Sequence, residues 1–280
     1  MYFFVRPVLF LPIFLLLLTC NSNKGKDTAK EKIRVAAAAN VQFALKAIEV
    51  AFEKSTNIEV DIVIASSGKL NAQIKQGAPY DVFIAANLKY PQDLYTAGFA
   101  TTPPKIYVLG KLVLWTMNEK VSLSPNLSTL EQEQIKHIGI ANPKNAPYGA
   151  QAIKAINFYN LQENIKHKLV YGENIAQVNQ YVLSQHCQIG ITAKSVVVAP
   201  KLLRKGKWEE IDPNAYEPIT QGAVITKYGQ THHNNAAATF FSFLSSQQAQ
   251  QIFLDYGYII PQPKGLQLDS TITNATLTHE

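Results

Sequence analysis

The sequence predicts an α/β protein folded as two lobes, and three observations carry that reading. Its 280 residues, 47% of them apolar, exceed what one core usually needs and fall short of three. Short β-branched runs alternate with stretches whose apolar residues recur at helical spacing. The alternation also comes in two series, one from residue 33 and a second from residue 112.

In the first series Ile33–Ala38 reads as a buried strand. Val41, Ala44, Leu45, Ile48 and Phe52 then share one helical face. Ile58–Ile64 is rich in β-branched residues and reads as a second strand. Leu70–Lys75 is a short helix closed by Gly77 and Pro79, and Asp81–Ala85 is a third strand. This βαβαβ order argues for a parallel sheet covered by helices. The second series places strands at Leu112–Thr116, His137–Ala141, Leu169–Tyr171 and Gln188–Thr192, with helices at Gly149–Tyr159 and Ile175–Ser184. Two further helices bear the stripes Ala237, Phe240, Phe241, Leu244 and Ala249, Ile252, Phe253, Tyr256. Residues 262–280 lose the pattern and read as a polar tail.

Ahead of the body, Arg6 is followed by an apolar run from Val8 to Leu18, the length of a signal-peptide core. Leu17-Leu18-Thr19-Cys20 resembles the lipobox of bacterial lipoproteins, with Thr19 where Gly, Ala or Ser is usual; the resemblance implies a lipid on Cys20. Residues 21–32 read as a polar, lysine-rich tether. The folded part is therefore expected outside the cytoplasm, in the periplasm or cell envelope and held to the membrane through the lipid alone. The formal charge of +6 falls to +3 without residues 1–32, which gives no reason to expect nucleic acid. With Cys20 lipidated, Cys187 is a lone thiol and reads as a small buried hydrophobe; neither a disulfide framework nor a Cys-rich metal site can be built.

Signatures of catalysis are missing. HExxH, CxxC, GxGxxG, GxSxG and the Walker loop are absent. Ser66-Ser67-Gly68-Lys69 satisfies an S-x-x-K pattern without its companion motifs, leaving a serine hydrolase as a remote alternative. The six histidines have no convincing ligand spacing. No cofactor, no protein-ligated metal ion and no enzymatic activity are expected.

One feature does recur: a strand ends in small or polar residues and turns into a helix. It occurs at Ala36-Ala37-Ala38-Ala39-Asn40, with Asn40 as the expected N-cap, and at Ile64-Ala65-Ser66-Ser67-Gly68. It occurs again at Pro147-Tyr148-Gly149 and at Glu173-Asn174-Ile175. Every such junction offers unpaired N–H groups and the positive end of a helix dipole. Single junctions of this kind are ordinary capping; four that converge make an anion site without a countercharge.

At these residues the chain resembles the molybdate-binding proteins of bacterial ABC transporters. The alanine run ending in Asn40, the segment Ala65-Ser66-Ser67 followed by Leu70, the turn and strand Gly77-Ala78-Pro79-Tyr80-Asp81-Val82-Phe83-Ile84, and the ending Phe253-Leu254-Asp255-Tyr256-Gly257-Tyr258 all match, and the likeness spans about residues 33–261. It implies a two-lobed type II binding fold, each lobe a mixed, mostly parallel sheet flanked by helices. Lobe I would be 33–110 plus 222–261, and lobe II the inserted 111–221, closing like a clamp. Carried over by position, the oxyanion contacts would be Asn40, Ser67, Tyr148, the Ile175 N–H and Ala39, the last through backbone only. Ala193 stands where many relatives carry a hydroxyl-bearing tyrosine.

The implied function is capture of molybdate or tungstate by a monomer and delivery to an ABC permease. Sulfate or phosphate is the alternative within the class. Against phosphate, the junctions supply no convincing carboxylate, Glu173 and Asp81 being the nearest. Against an amino acid, only Arg34 and Arg204 are present after the leader, and neither is at a junction.

Overall fold

The computed structural model describes Tyr2 and Lys30–Pro261. The signal segment, Cys20, residues 21–29 of the tether and the tail 262–280 lie outside the described residues. Two five-stranded sheets organise the rest. Sheet one has the order β2-β1-β3-β10-β4, from β1 (Lys32–Ala38), β2 (Glu59–Ala65), β3 (Val82–Ala85), β4 (Lys105–Gly110) and β10 (Ile219–Ile225). Sheet two has the order β7-β6-β8-β5-β9, from β5 (Leu112–Thr116), β6 (Ile138–Ala141), β7 (Leu169–Gly172), β8 (Ile189–Ala193) and β9 (Lys207–Glu210). We refer to the parts built on them as lobe I and lobe II.

The sheets follow one plan. β1 pairs in parallel with β2 and β3, and β6 with β7 and β8. One strand in each sheet runs against both its neighbours: β10 in sheet one, β5 in sheet two. Those two strands are the ones the chain enters after crossing between lobes, at Gly110–Lys111 on the way out and over 211–218 on the way back.

Helices cover both faces of sheet one, which is why β1 is buried along nearly its whole length. Ile33, Val35 and Ala37 pack with α1 (Gln42–Thr56), α9 (Asn234–Phe243) and α10 (Gln247–Asp255), centred on Phe52, Phe240 and Phe253. Ala36 faces the other way, with Leu70 and Ile74 of α2 (Ser67–Lys75) and Leu94 of α3 (Lys89–Thr96). Lobe II has a continuous core in which α4 (Pro147–Phe158) and α6 (Ile175–Leu183) pack against sheet two, together with the short α5 (Gln162–Ile165) and α7 (Lys194–Val197). The short α8 (Lys227–His232) completes the helices. Cys187 is buried in lobe II, and burial pushes its thiol up to about 11, which removes the reactive thiolate at neutral pH. No helix among the described residues is long and apolar enough to cross a membrane.

Differences from the sequence reading lie at element ends, in the role of Asn40 and in whole elements. α2 starts at Ser67 rather than Leu70, and α4 at Pro147 rather than Gly149, because Ser66 and a proline at the first helical position both favour the earlier start. Asn40 is not an N-cap: it sits inside a 3₁₀ turn, Ala39–Val41, and its side chain is engaged elsewhere. The sequence reading does not include β4, β9 and β10 or the helices α3, α5, α7 and α8, and β10 begins at Ile219, ahead of the expected lobe border at 222.

Candidate binding site between the lobes

The strand ends of the two sheets face one another across a small, tightly closed pocket of about 10 Å³. Lobe I lines it with Ala38, Ala39, Asn40, Ser66, Ser67 and Ala86; lobe II adds Ala146, Pro147, Tyr148 and Ile175. All five expected contact residues are thus brought to one cavity. None of its lining residues carries a charge.

Ser67 is the first residue of α2, and the Ser66 hydroxyl caps that helix by accepting from Lys69 N at 3.4 Å. The Ser67 hydroxyl is buried and accepts from the Ala86 N–H at 3.0 Å. With its acceptor side occupied, its own proton is free to point at a ligand. Lys69 is no partner for it, because the ammonium pairs with Glu173 at 2.9 Å. The S-x-x-K pattern therefore forms no nucleophile–base pair.

Tyr148 follows Pro147 into α4 and is 2% exposed. Its hydroxyl accepts from Gln221 Nε2 at 3.1 Å, again leaving the proton unspent. Gly110 permits this reach, since a Cβ there would collide with the Tyr148 hydroxyl. Burial pushes the Tyr148, Tyr107 and Tyr258 hydroxyls upward from the usual phenol range, so all three remain neutral donors. Ile175 opens α6 behind Asn174, whose side chain caps the helix by accepting from Gln177 N at 3.2 Å. Its N–H is one of the first-turn donors that a helix leaves without an internal partner.

Asn40 behaves differently. Its Nδ2 donates to Gln221 Oε1 at 2.8 Å and to the Tyr258 hydroxyl at 3.2 Å. Its backbone carbonyl accepts from Ser195 Oγ at 2.8 Å and the Tyr258 hydroxyl at 3.0 Å. Its Oδ1 is buried and has no hydrogen-bond partner among the described residues. The Tyr107 hydroxyl donates to Gln221 Oε1 at 2.9 Å. The site is thus backed by a polar layer of Tyr107, Ser195, Gln221 and Tyr258 that the sequence reading missed. A buried glutamine inside the apolar strand Ile219–Ile225 was the available signal, and Tyr258 stood in the quoted chain ending without a role.

Contacts across the cleft hold the lobes closed. The Gly68 N–H donates to Asn145 O at 2.9 Å, Lys69 meets Glu173 at the rim, and Gln221 of sheet one meets Tyr148 of lobe II. Asp81 lies at the opposite end of β3, where it accepts from the Arg34 N–H at 2.6 Å and faces His233 Nδ1 at 2.8 Å. Arg34 also pairs with Asp61 at 2.9 Å, and Arg204 is exposed. Neither a carboxylate nor a guanidinium therefore reaches the pocket. Ala193 is buried at the end of β8 and brings no polar side-chain atom. No group of three or more metal-ligating side chains occurs among the described residues.

Two similar lobes, two crossings and an uncharged polar pocket between strand ends define a clamp-type solute-binding protein. The chain belongs to the bacterial extracellular solute-binding proteins, whose family model matches residues 33–259. It is 36% identical over 228 residues to the molybdate-binding protein ModA of Azotobacter vinelandii, covering 81% of this chain and 89% of that one. It is 31% identical over 232 residues to ModA of Rhodobacter capsulatus, covering 82% and 89%. The solved periplasmic molybdate-binding protein of Azotobacter vinelandii superposes with a TM-score of 0.78 at 31% identity, over 82% of this chain and all of that one.

Proposed function

We propose that this protein captures molybdate between its lobes outside the cytoplasm and delivers it to an ABC permease. Tungstate, of the same charge and tetrahedral shape, is the paired candidate, and a lipid on Cys20 is the proposed anchor. The observation that carries this reading is the uncharged pocket lined by Ala39, Asn40, Ser67, Tyr148 and Ile175, in a chain related to proteins named for molybdate. A dianion taken from water must recover its hydration hydrogen bonds. Oriented side-chain donors and helix-start N–H groups supply them, each worth roughly 1.5–3 kcal/mol toward an ionised acceptor. Donors held at fixed spacing favour one size of tetrahedron, so the smaller sulfate leaves some of them out of reach.

Calorimetry of the purified protein with molybdate, tungstate, sulfate and phosphate tests the reading. Molybdate and tungstate should release heat and raise Tm, with a stabilisation of about 2.7 kcal/mol at a hundredfold excess over Kd. Binding of sulfate or phosphate with none of molybdate or tungstate would overturn it.

A further inference from the structure

The three polar side chains at the pocket are not oriented alike. Ser67 and Tyr148 each accept a hydrogen bond from behind, which leaves a proton for the cavity. Asn40, 2% exposed, spends its N–H groups behind the pocket and is left with an unpaired Oδ1. An ionised oxyanion carries only acceptors, so this Oδ1 opposes it.

An amide can be reversed about its terminal bond with almost no change of shape, exchanging donor for acceptor. Asn40 cannot reverse alone, because its Oδ1 would then face Gln221 Oε1 across the present 2.8 Å contact. If Gln221 reverses as well, its Nε2 donates to Asn40 Oδ1, and its Oε1 turns to the Tyr148 hydroxyl. That hydroxyl must then donate to Gln221 rather than to the pocket. Tyr107, now accepting from Gln221, can still donate to Ala85 O at 3.4 Å. The Tyr258 hydroxyl, which accepts from the Asn40 amide at 3.2 Å in the present state, must turn its own proton to Asn40 Oδ1, while Ser195 Oγ keeps the Asn40 carbonyl. Every member of the reversed network is then paired, and the Asn40 amide N–H groups are free for the ligand.

We propose that Gln221 is a positioning residue that makes Asn40 and Tyr148 alternative donors, one serving the ligand while the other is spent on the glutamine. It touches no ligand itself. A fully ionised tetrahedral anion selects the reversed state, in which Asn40 donates; an anion that still carries a proton can give it to Asn40 Oδ1 in the state observed. This rests on the oxyanion reading and specifies how the same site presents its hydrogens.

The test is a two-by-two calorimetric cycle with molybdate: the unaltered protein, Tyr148→Phe, Gln221→Met and both together. Methionine keeps the approximate volume and removes the amide. With Gln221 present, the tyrosine's proton is committed to the glutamine in the bound state; without it, the proton reaches the ligand. Tyr148→Phe should therefore weaken binding about tenfold more in the Gln221→Met background than in the original one. An equal factor in both backgrounds overturns the coupling. If Gln221→Met does not fold, ¹H–¹⁵N spectra of the unaltered protein decide: molybdate should shift the side-chain NH₂ signals of Asn40 and Gln221 together, and an unmoved Gln221 pair overturns the proposal. Absence of molybdate or tungstate heat from the unaltered protein would instead defeat the oxyanion reading, and this inference with it.

Discussion

Lobe I holds its pocket side chains by bonds within its own sheet: Ser67 through Ala86 at the end of β3, and Asn40 through Gln221 on β10. Lobe II supplies two helix starts, and its buried hydroxyl at Tyr148 is satisfied only by reaching Gln221 on the other lobe's sheet. The strand orders are equivalent, yet the half-sites are not. Lobe I can hold both side chains in place before closure, whereas Tyr148 gains its partner through closure. The difference follows from chain routing. The strand that runs against its neighbours in sheet two, β5, is the outgoing crossing and is apolar up to its last residue, Thr116; its counterpart β10 is the returning one and carries the buried glutamine.

Blocking closure should break this comparison most severely. A Cβ on Gly68 would stand 2.8 Å from Asn145 Cβ and 2.9 Å from Asn145 Cα across the cleft, and 2.8 Å from the Tyr90 hydroxyl of its own lobe. Overpacking of that kind costs about 1–3 kcal/mol, so Gly68→Ala is expected to weaken molybdate capture roughly ten- to hundredfold by calorimetry. Only a small fall in the Tm of the unligated protein is expected, since the Tyr90 hydroxyl is a side-chain end that can move aside, whereas the Asn145 backbone is met only in the closed clamp. Unchanged affinity would mean that the Gly68–Asn145 approach is no part of capture.

Ser67→Ala probes the lobe that stands ready. It removes one oriented donor, for roughly a tenfold loss of affinity, and leaves the buried Ala86 N–H without its partner, for about 1–3 kcal/mol of stability. Denaturant unfolding alongside calorimetry should therefore register both losses, whereas a drop in affinity alone would show that the Ala86 bond is dispensable. The smallest effect belongs to the rim. Lys69 and Glu173 remain 50% and 44% exposed, and exposed pairs contribute about 0–1 kcal/mol. Lys69→Ala should shift affinity by no more than about fivefold, with the difference vanishing at high salt. A larger, salt-insensitive loss would make this pair an essential latch.

Much of lobe I was legible because its helices and strands announce themselves locally. The β-branched run at Ile58–Ile64 and the stripe from Val41 to Phe52 each need only their own neighbours to be read. β9 was hidden by its composition, Lys-Trp-Glu-Glu, which suits an edge strand exposed to water. β10 was hidden because it pairs with strands more than a hundred residues earlier and interrupts its apolar run with Gln221 and Gly222. The junction residues were found by type and position, but the role of Asn40 was misread. A cap is a local bond, and the partners that hold Asn40 lie 181 and 218 positions away.

By itself the sequence determined the α/β class, two series of elements, the strand-to-helix junctions and five of the residues that line the pocket, since periodicity and capping act over a few positions. Only the tertiary structure decided how those residues present their hydrogens. Gln221, Tyr107, Tyr258 and Ser195 come together from both lobes and both ends of the chain. A buried amide or hydroxyl takes its direction from whatever partner packing places behind it.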